Sequence, residues 1–229
     1  KHECLLLKYA NDDKLYLPVE NIDVLSRYGS DISEESLDKL GGISWGSRKE
    51  KLKKRIKFLA EELMAVAAKR QISSAEIINV PEDFYEEFCS RFPFEETNDQ
   101  FNAIHSVIND LEKGQPMDRL ICGDVGFGKT EVALRASFLT AMSGKQVAIL
   151  APTTLLARQH YETFKSRFRG FPVNISELSR LTSKKDDVIK KINSGSSDIV
   201  IGTHSLLGDK IKFNDLGLLI IDEEQHFGV

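Results

Sequence analysis

The strongest constraint on the fold is the run Gly123–Thr130, which fits the pattern G-x-x-x-x-G-K-[ST]. It lies between a short apolar segment at 120–122 and a segment with helical periodicity that ends near Gly144. The glycines allow a tight turn that points backbone N–H groups inward, and the following helix adds the positive end of its dipole. This context favours a phosphate-binding loop over a glycine-rich turn with an incidental lysine.

The residues of this loop have distinct predicted roles in binding a nucleotide. We expect Lys129 to reach the β- and γ-phosphates and the Thr130 hydroxyl to coordinate Mg²⁺. The predicted nucleotide-binding residues of the loop are Gly123, Asp124, Val125, Gly126, Phe127, Gly128, Lys129 and Thr130.

A second apolar run, 218–221, ends in two acids, Asp222 and Glu223. Acids at strand ends are commonly only solvated, and the phosphate loop upstream is what makes this pair informative. Asp222 can hold Mg²⁺ through the water shell of the ion, opposite Thr130, while Glu223 can polarise an attacking water. The predicted catalytic residues are Lys129, Asp222 and Glu223.

From about residue 81, short apolar runs alternate with helical patterns. The apolar runs are 120–122, 147–150, 199–201 and 218–221, and the helical patterns are 131–143, 155–168 and 184–193. This alternation predicts an α/β fold in which helices cover both faces of a parallel sheet. Ligands of such folds bind at the carboxyl ends of the strands, where the two motifs lie.

The first 80 residues have a different pattern. Residues 3–20 are typical of a β-hairpin, with runs at 5–9 and 15–19 joined through 11–13. After Trp45 the spacing of apolar residues predicts an amphipathic helix of about six turns. Basic residues between the apolar positions indicate either a solvated face, the interpretation we favour, or a nucleic-acid contact. We therefore predict three regions: a partial small β-domain at 1–28, a linker with the long helix at 29–80, and the α/β domain at 81–229.

Gln100 has two interpretations that the residues alone leave open. Its amide presents donors and an acceptor that suit the N6/N7 edge of adenine. The pair Thr97 and Gln100 also forms a capping box for the helix that follows. Phe94 is a candidate for stacking on the base, although core packing is the simpler interpretation of its side chain.

Two further strand ends carry groups that suit a nucleic-acid backbone. Hydroxyls and backbone N–H groups at such positions donate to phosphate oxygens. Thr154 has an equally good alternative role as the cap of the helix at 155–168. The candidate DNA-contacting residues are Thr153, Thr154, Gly202, Thr203 and His204.

Composition excludes few classes of function. The formal net charge of −4 does not exclude a localised basic face on a nucleic-acid-binding protein. No apolar run approaches the roughly 20 residues that span a bilayer, so we expect no membrane segment. The three cysteines, Cys4, Cys89 and Cys122, lack metal-ligand spacing and indicate reduced thiols in the cytoplasm.

Taken in order, these motifs resemble those of superfamily 2 helicase-like motors, and more closely those of the bacterial transcription-repair coupling factor family. The similar segments are 14–19, 25–28, 39–42, 92–100, 123–132, 151–156, 201–204 and 222–225. The resemblance implies a RecA-like domain at 81–229, truncated after the acids of 222–225, with ATP and Mg²⁺ as cofactors, and it favours the adenine role of Gln100. It also implies translocation on double-stranded DNA and displacement of stalled RNA polymerase, which the N-terminal module contacts. A nucleotide-excision-repair factor would bind through regions outside this chain.

Two alternatives remain from different classes of function. A RecG-like fork-remodelling helicase has a similar phosphate loop, but it should show a DNA-binding wedge domain before residue 90. A polymerase-binding adaptor with an inactive nucleotide fold is disfavoured by the intact Lys129, Thr130, Asp222 and Glu223. Since a second motor domain is absent here, we expect a fragment that binds ATP without efficient turnover.

Overall fold

The computed structural model describes residues 3–25, 43–79, 82–124 and 126–227. These fall into two units, Lys1–Lys69 and Arg70–Val229. Val125 of the phosphate loop and nearly all of the similar segments 25–28 and 39–42 lie outside the described residues.

The first unit contains the predicted hairpin. Strands β1 (Cys4–Lys8) and β2 (Lys14–Pro18) pair antiparallel, and Pro18 stands at a strand end, where its missing N–H costs no ladder bond. Helix α1 (Ile43–Ile72) confirms the predicted long helix. Its apolar positions are exposed: Leu52, Ile56, Leu59, Leu63 and Val66. None of the described helices, α1 included, combines the length and apolarity needed to cross a membrane.

The second unit confirms the predicted α/β class. Its sheet has four parallel strands in the order β4-β5-β3-β6. The strands are β3 (Gln146–Leu150), β4 (Ile175–Leu178), β5 (Ile199–Gly202) and β6 (Leu216–Ile221). The helices are α2 (Glu82–Ser90), α3 (Asn98–Glu112), α4 (Lys129–Met142), α5 (Thr154–Arg167) and α6 (Lys185–Asn193).

Side chains of the central strands alternate between two apolar cores, one on each face of the sheet. Ile199 and Ile201 of β5 belong to the larger core, which includes residues of α2, α3, α4 and α5. Val200 points to the opposite face and packs in a smaller core with Ile192 of α6. Because β3 and β5 are buried on both faces, these two strands are continuous apolar runs, which makes them recognisable from sequence.

The strand predicted at 120–122 is wrong. Within the described part of the chain this segment joins no ladder of the sheet, and Leu120 is 68% exposed. A cavity of about 580 Å³ is lined both by 120–122 and by 218–221 of β6, so the two backbones do not meet. The apolar composition of the run predicts a buried strand, but a strand also needs a neighbour within hydrogen-bond reach. Conversely, β4 was not predicted, because Ile175 and Leu178 are its only apolar residues.

A cluster of buried charges ties α4 to its neighbours. Glu131 accepts hydrogen bonds from Arg135 at 3.0 Å and from Arg167 of α5 at 2.8 Å, and Arg135 also donates to Glu96. Glu131 and Arg135 are 4% and 5% exposed. Burial works against the charged form, but the hydrogen bonds that Arg135 donates to Glu131 and Glu96 favour it, and the pKa of the Arg135 guanidinium is raised. We call these four residues, Glu96, Glu131, Arg135 and Arg167, the charged cluster.

We predict that Glu131→Ala lowers the free energy of unfolding by about 3 kcal/mol, because the buried Arg135 and the partly buried Arg167 lose their shared acceptor. Glu162→Ala is the matched control, since Glu162 pairs with Arg158 in the exposed i,i+4 arrangement. Its loss should be about 0–1 kcal/mol. Chemical denaturation of both variants measures the difference, and equal small losses would contradict the structural importance of the cluster.

Candidate nucleotide-binding site

The candidate site lies where three neighbouring strands end. Leu150 of β3 is in register with Gly202 of β5 on one side and with Ile221 of β6 on the other. Residues that follow these strands therefore lie along one edge of the sheet. The acids after β6 therefore lie at the predicted edge, whereas the phosphate loop follows 120–122, which is not a strand of the described sheet.

The phosphate loop makes a tight turn before α4. Gly126 and Gly128 have φ values of +85° and +73°, in the left-handed region that favours glycine. The Nζ group of Lys129 donates hydrogen bonds to the carbonyl oxygens of Gly123 and Asp124, the latter at 2.9 Å. The lysine ammonium thus closes the turn by binding the backbone of its own loop.

One cavity brings the loop and the predicted acids together. The cavity of about 580 Å³ is lined by Lys129, Thr130, Asp222 and Glu223, together with Gly123 and Asp124. Hydroxyl and carboxylate oxygens are ligand types that Mg²⁺ takes alongside phosphate oxygens and water. The donor set of Thr130 and Asp222 therefore fits that ion.

The two acids differ in their surroundings. A hydrogen bond from His160 holds the pKa of the Asp222 carboxyl below its usual range, against the opposing effect of burial. Glu223 has a φ of 54°, a left-handed conformation that is uncommon for a residue with a side chain. Its carboxylate accepts a hydrogen bond from the side-chain amide of Gln225. Such strained backbone positions concentrate at functional sites.

Gln100 links the start of α3 to the phosphate loop. Its Oε1 accepts from the backbone N–H of Thr97 at 3.0 Å, and its N–H donates to Thr97 Oγ1, which confirms the predicted capping box. Its Nε2 donates to the carbonyl oxygen of Phe127 at 2.9 Å. A Cβ on Gly128 would stand 2.3 Å from this Nε2 and would displace the amide from the loop, and the φ of +73° at Gly128 favours glycine there in any case.

Phe94 is not a core residue. Its side chain is 74% exposed, and its ring lies edge-on to Phe92 with a centroid distance of 5.6 Å. The interpretation of Phe94 as core packing is therefore wrong, because the chain turns its side chain outward just before the cap of α3.

The candidate DNA-contacting residues divide by exposure. Thr153 is exposed. It is the N-cap of α5, since its hydroxyl accepts a hydrogen bond from the N–H of Leu156 at 3.2 Å. The prediction that Thr154 caps this helix is therefore wrong by one residue. His204 is exposed, whereas Gly202 and Thr203 are buried. Any contact that these two buried residues make with a ligand must come mainly from their backbone.

His160 is a site residue that no sequence pattern indicated. This residue of α5 donates from Nε2 to Oδ2 of Asp222 across 2.8 Å. Histidine spacing carries no sign of this contact, because the partner lies on another element. The only available hint is that His160 follows the cap Thr153 by two helical turns, which places it on the same side of α5.

Two protein families match the chain. The DEAD/DEAH box helicase family matches residues 97–229, and the CarD-like/TRCF RID domain matches residues 1–29. The first match covers the phosphate loop and both predicted acids.

Curated relatives are similar over the whole chain. The transcription-repair-coupling factor of Rickettsia bellii is 52% identical over 234 residues, covering 100% of this chain and 21% of the relative. That of Escherichia coli is 47% identical over 230 residues, covering 99% of this chain and 20% of the relative. The chain thus spans about a fifth of the length of these relatives. These similarities confirm the resemblance that the motifs indicated.

A solved structure supports the fold. The structure of RecG bound to a three-way DNA junction superposes with a TM-score of 0.65 at 36% identity, covering 69% of this chain and 22% of that one. The similarity agrees with the α/β architecture described above.

We predict that Gly202→Ala destabilises the chain by about 1–3 kcal/mol, the usual cost of overpacking. A Cβ at Gly202 would stand 2.3 Å from the carbonyl oxygen of Leu178 in the neighbouring strand. Gly208→Ala is the control, because its added Cβ would meet nothing closer than 3.5 Å. If chemical denaturation gives equal losses for both variants, packing is not the reason for glycine at position 202.

Proposed function

The chain belongs to the DEAD/DEAH box helicase family, and we propose that it is the ATP-binding part of a motor that translocates on double-stranded DNA. The observation that carries the proposal is the convergence of Lys129 and Thr130 with Asp222 and Glu223 on one cavity. The similarity to transcription-repair-coupling factors extends the proposal to the intact protein. In that protein the motor displaces stalled RNA polymerase and so couples transcription to DNA repair.

We propose that the phosphates of ATP replace the partners that Lys129 has in this structure. Its Nζ group exchanges the carbonyl oxygens of Gly123 and Asp124 for β- and γ-phosphate oxygens. Thr130 and Asp222 hold Mg²⁺, which supplies neutralisation of the phosphate charge. Glu223 accepts a proton from, and orients, the attacking water.

Gln100 retains the groups it needs to recognise adenine. A side-chain amide has two N–H donors and an oxygen with two lone pairs. The contacts to Phe127 and Thr97 use one donor and one lone pair, so one of each remains for the N7 and N6 positions of the base. The exposed ring of Phe94 is available to stack on the same base.

DNA and protein partners are proposed for separate regions of the chain. Thr153, Thr154 and His204 offer side chains to the DNA backbone, with Gly202 and Thr203 contributing backbone groups. The match of residues 1–29 to the CarD-like/TRCF RID domain supports RNA polymerase as the partner of region 1–28. Region 29–80 links it to the motor region 81–229. We place the protein in the cytoplasm with these partners, and a repair factor binds through regions outside this chain.

A second candidate is a RecG-like fork-remodelling helicase, which the 36% identity to RecG favours. That similarity covers 69% of the chain, whereas the transcription-repair-coupling factors are similar over all of it. The N-terminal 29 residues therefore favour the coupling-factor function. We also propose that the chain alone binds ATP without efficient turnover, because an arginine from a second domain contributes about 10³–10⁵ in rate.

We predict that Glu223→Gln in the intact protein retains ATP binding and lowers hydrolysis by about 10²–10⁴, because an amide cannot accept the proton of the attacking water. Lys129→Ala should instead weaken binding by at least about tenfold, since it removes a charge-assisted hydrogen bond. Titration with a fluorescent ATP analogue and steady-state hydrolysis with and without duplex DNA separate the two effects. An unchanged hydrolysis rate in Glu223→Gln would refute the role of this residue as base.

We predict that Gln100→Glu separates base recognition from helix capping. Glutamate keeps an acceptor for the Thr97 N–H, so unfolding should change by less than about 1 kcal/mol. Glutamate has no N–H donor, so it loses the bond to the Phe127 carbonyl oxygen, which affects ATP and GTP alike. It also loses the donor to the base, which should lower the preference for ATP over GTP by about 2- to 12-fold. Gln100→Ala, the comparison variant, loses both roles and should also be less stable by about 0.5–2 kcal/mol. If Gln100→Glu keeps the full preference for ATP, Gln100 serves the cap and the loop alone.

A further inference from the structure

We infer that His160 is a positioning residue that fixes the carboxylate of Asp222 and links it to helix α5 and the loop at Thr153. The inference rests on the proposed function, in which Asp222 holds Mg²⁺. Helix α5 then transmits a change at its N-terminal loop to the metal-binding carboxylate of Asp222.

Asp222 is held at two points that belong to different elements. Its backbone N–H donates to the carbonyl oxygen of Leu150 at 2.9 Å, which extends the pairing of β6 with β3 by one residue. Its side chain accepts from His160 Nε2 at 2.8 Å. The bond from His160 uses Oδ2, and the adjacent backbone N–H of Glu223 also donates to the carboxylate. With its backbone set by the sheet and this N–H next to it in sequence, the carboxylate is tied to another element by His160 of α5.

His160 cannot move independently of its helix. Its side chain is 15% exposed, against 32% for Asp222. On the same helix Ala157 and Phe164 are fully or almost fully buried, at 0% and 1% exposed, and hold α5 against the larger core. A shift of the His160 ring therefore requires a shift of α5 as a body or a broken hydrogen bond.

The other end of this connection is the loop before α5. The hydroxyl of Thr153 caps the helix and is also exposed. His160 lies seven positions after Thr153, which corresponds to a rise of about 10 Å along the helix. A ligand that binds at this loop and displaces the start of α5 therefore changes the hydrogen bond from His160 to Asp222. By linkage, occupation of the Mg²⁺–nucleotide site must alter the affinity of the loop ligand by the same factor.

The test uses the intact protein with three variants at position 160. His160→Phe fills the space of the ring without a donor, and His160→Ala removes both. His160→Gln places an amide N–H at about the reach of Nε2. The first readout is the equilibrium affinity for a fluorescent ATP analogue, measured once with Mg²⁺ and once with EDTA. We expect His160→Phe and His160→Ala to reduce the gain in affinity from Mg²⁺ by about tenfold, the effect of one hydrogen bond to a charged group. His160→Gln should restore it to within about threefold, and affinity in EDTA should stay unchanged in all three, which also shows that the variants fold.

The second readout is the effect of saturating duplex DNA on the Mg²⁺-dependent affinity. We expect duplex DNA to change the Mg²⁺-dependent affinity for the ATP analogue in the wild-type protein and in His160→Gln but not in His160→Phe. The inference is overturned if His160→Phe loses affinity equally in Mg²⁺ and EDTA, if it loses none, if His160→Gln behaves like His160→Phe, or if DNA has no effect on the wild type. Failure of the proposed function looks different: the wild type itself would then show no Mg²⁺-dependent nucleotide binding, and Lys129→Ala would change nothing.

Discussion

The parallel pairing of β6 with β3 is the interaction on which the candidate site depends. A slip by one residue would exchange the sides to which Asp222 and Glu223 point. The run 216–221 contains no polar side chain, so alternation of polar and apolar residues does not resist such a slip. The register is held instead at the start of the strand. A Cβ at Gly217 would stand 2.6 Å from Cβ of Lys145, so only glycine fits there, and Gln146 accepts hydrogen bonds from the backbone of Asn214 and Asp215.

Two sets of contacts place α4 and the phosphate loop relative to residues 96–100. Gln100 binds the loop through the carbonyl oxygen of Phe127, and Glu96 binds Arg135 in the second turn of α4. A buried charged cluster adds little net stability compared with apolar residues of the same size, because desolvation offsets most of the attraction. The directional bonds of the charged cluster do, however, specify one arrangement of α4, α5 and the segment that contains Glu96. We therefore interpret the charged cluster as setting the distance between the segment proposed to bind the base and the loop proposed to bind the phosphates.

Most of the fold and the centre of the site could be predicted because their signals are local. The phosphate loop and the strands β3, β5 and β6 are each coded within a few consecutive residues. The failures that concern the sheet and the site involve contacts between distant residues. The run 120–122 is apolar but has no paired neighbour, and β4 is too short and too polar to stand out. His160 has no local pattern at all, since its role depends on where β6 ends in space.

The groups proposed to contact ATP already have partners inside the protein, and the strengths of these bonds decide what binding changes. Lys129 binds neutral carbonyl oxygens, and phosphate oxygens add the attraction between opposite charges, so the exchange is favourable. Glu223 is different, because the amide of Gln225 occupies its carboxylate. A water can be oriented by Glu223 only through a free lone pair or after Gln225 turns away. Nucleotide binding can therefore precede the arrangement in which Glu223 orients the attacking water. The step from binding to hydrolysis then depends on the short segment after β6, which contains Glu223 and Gln225.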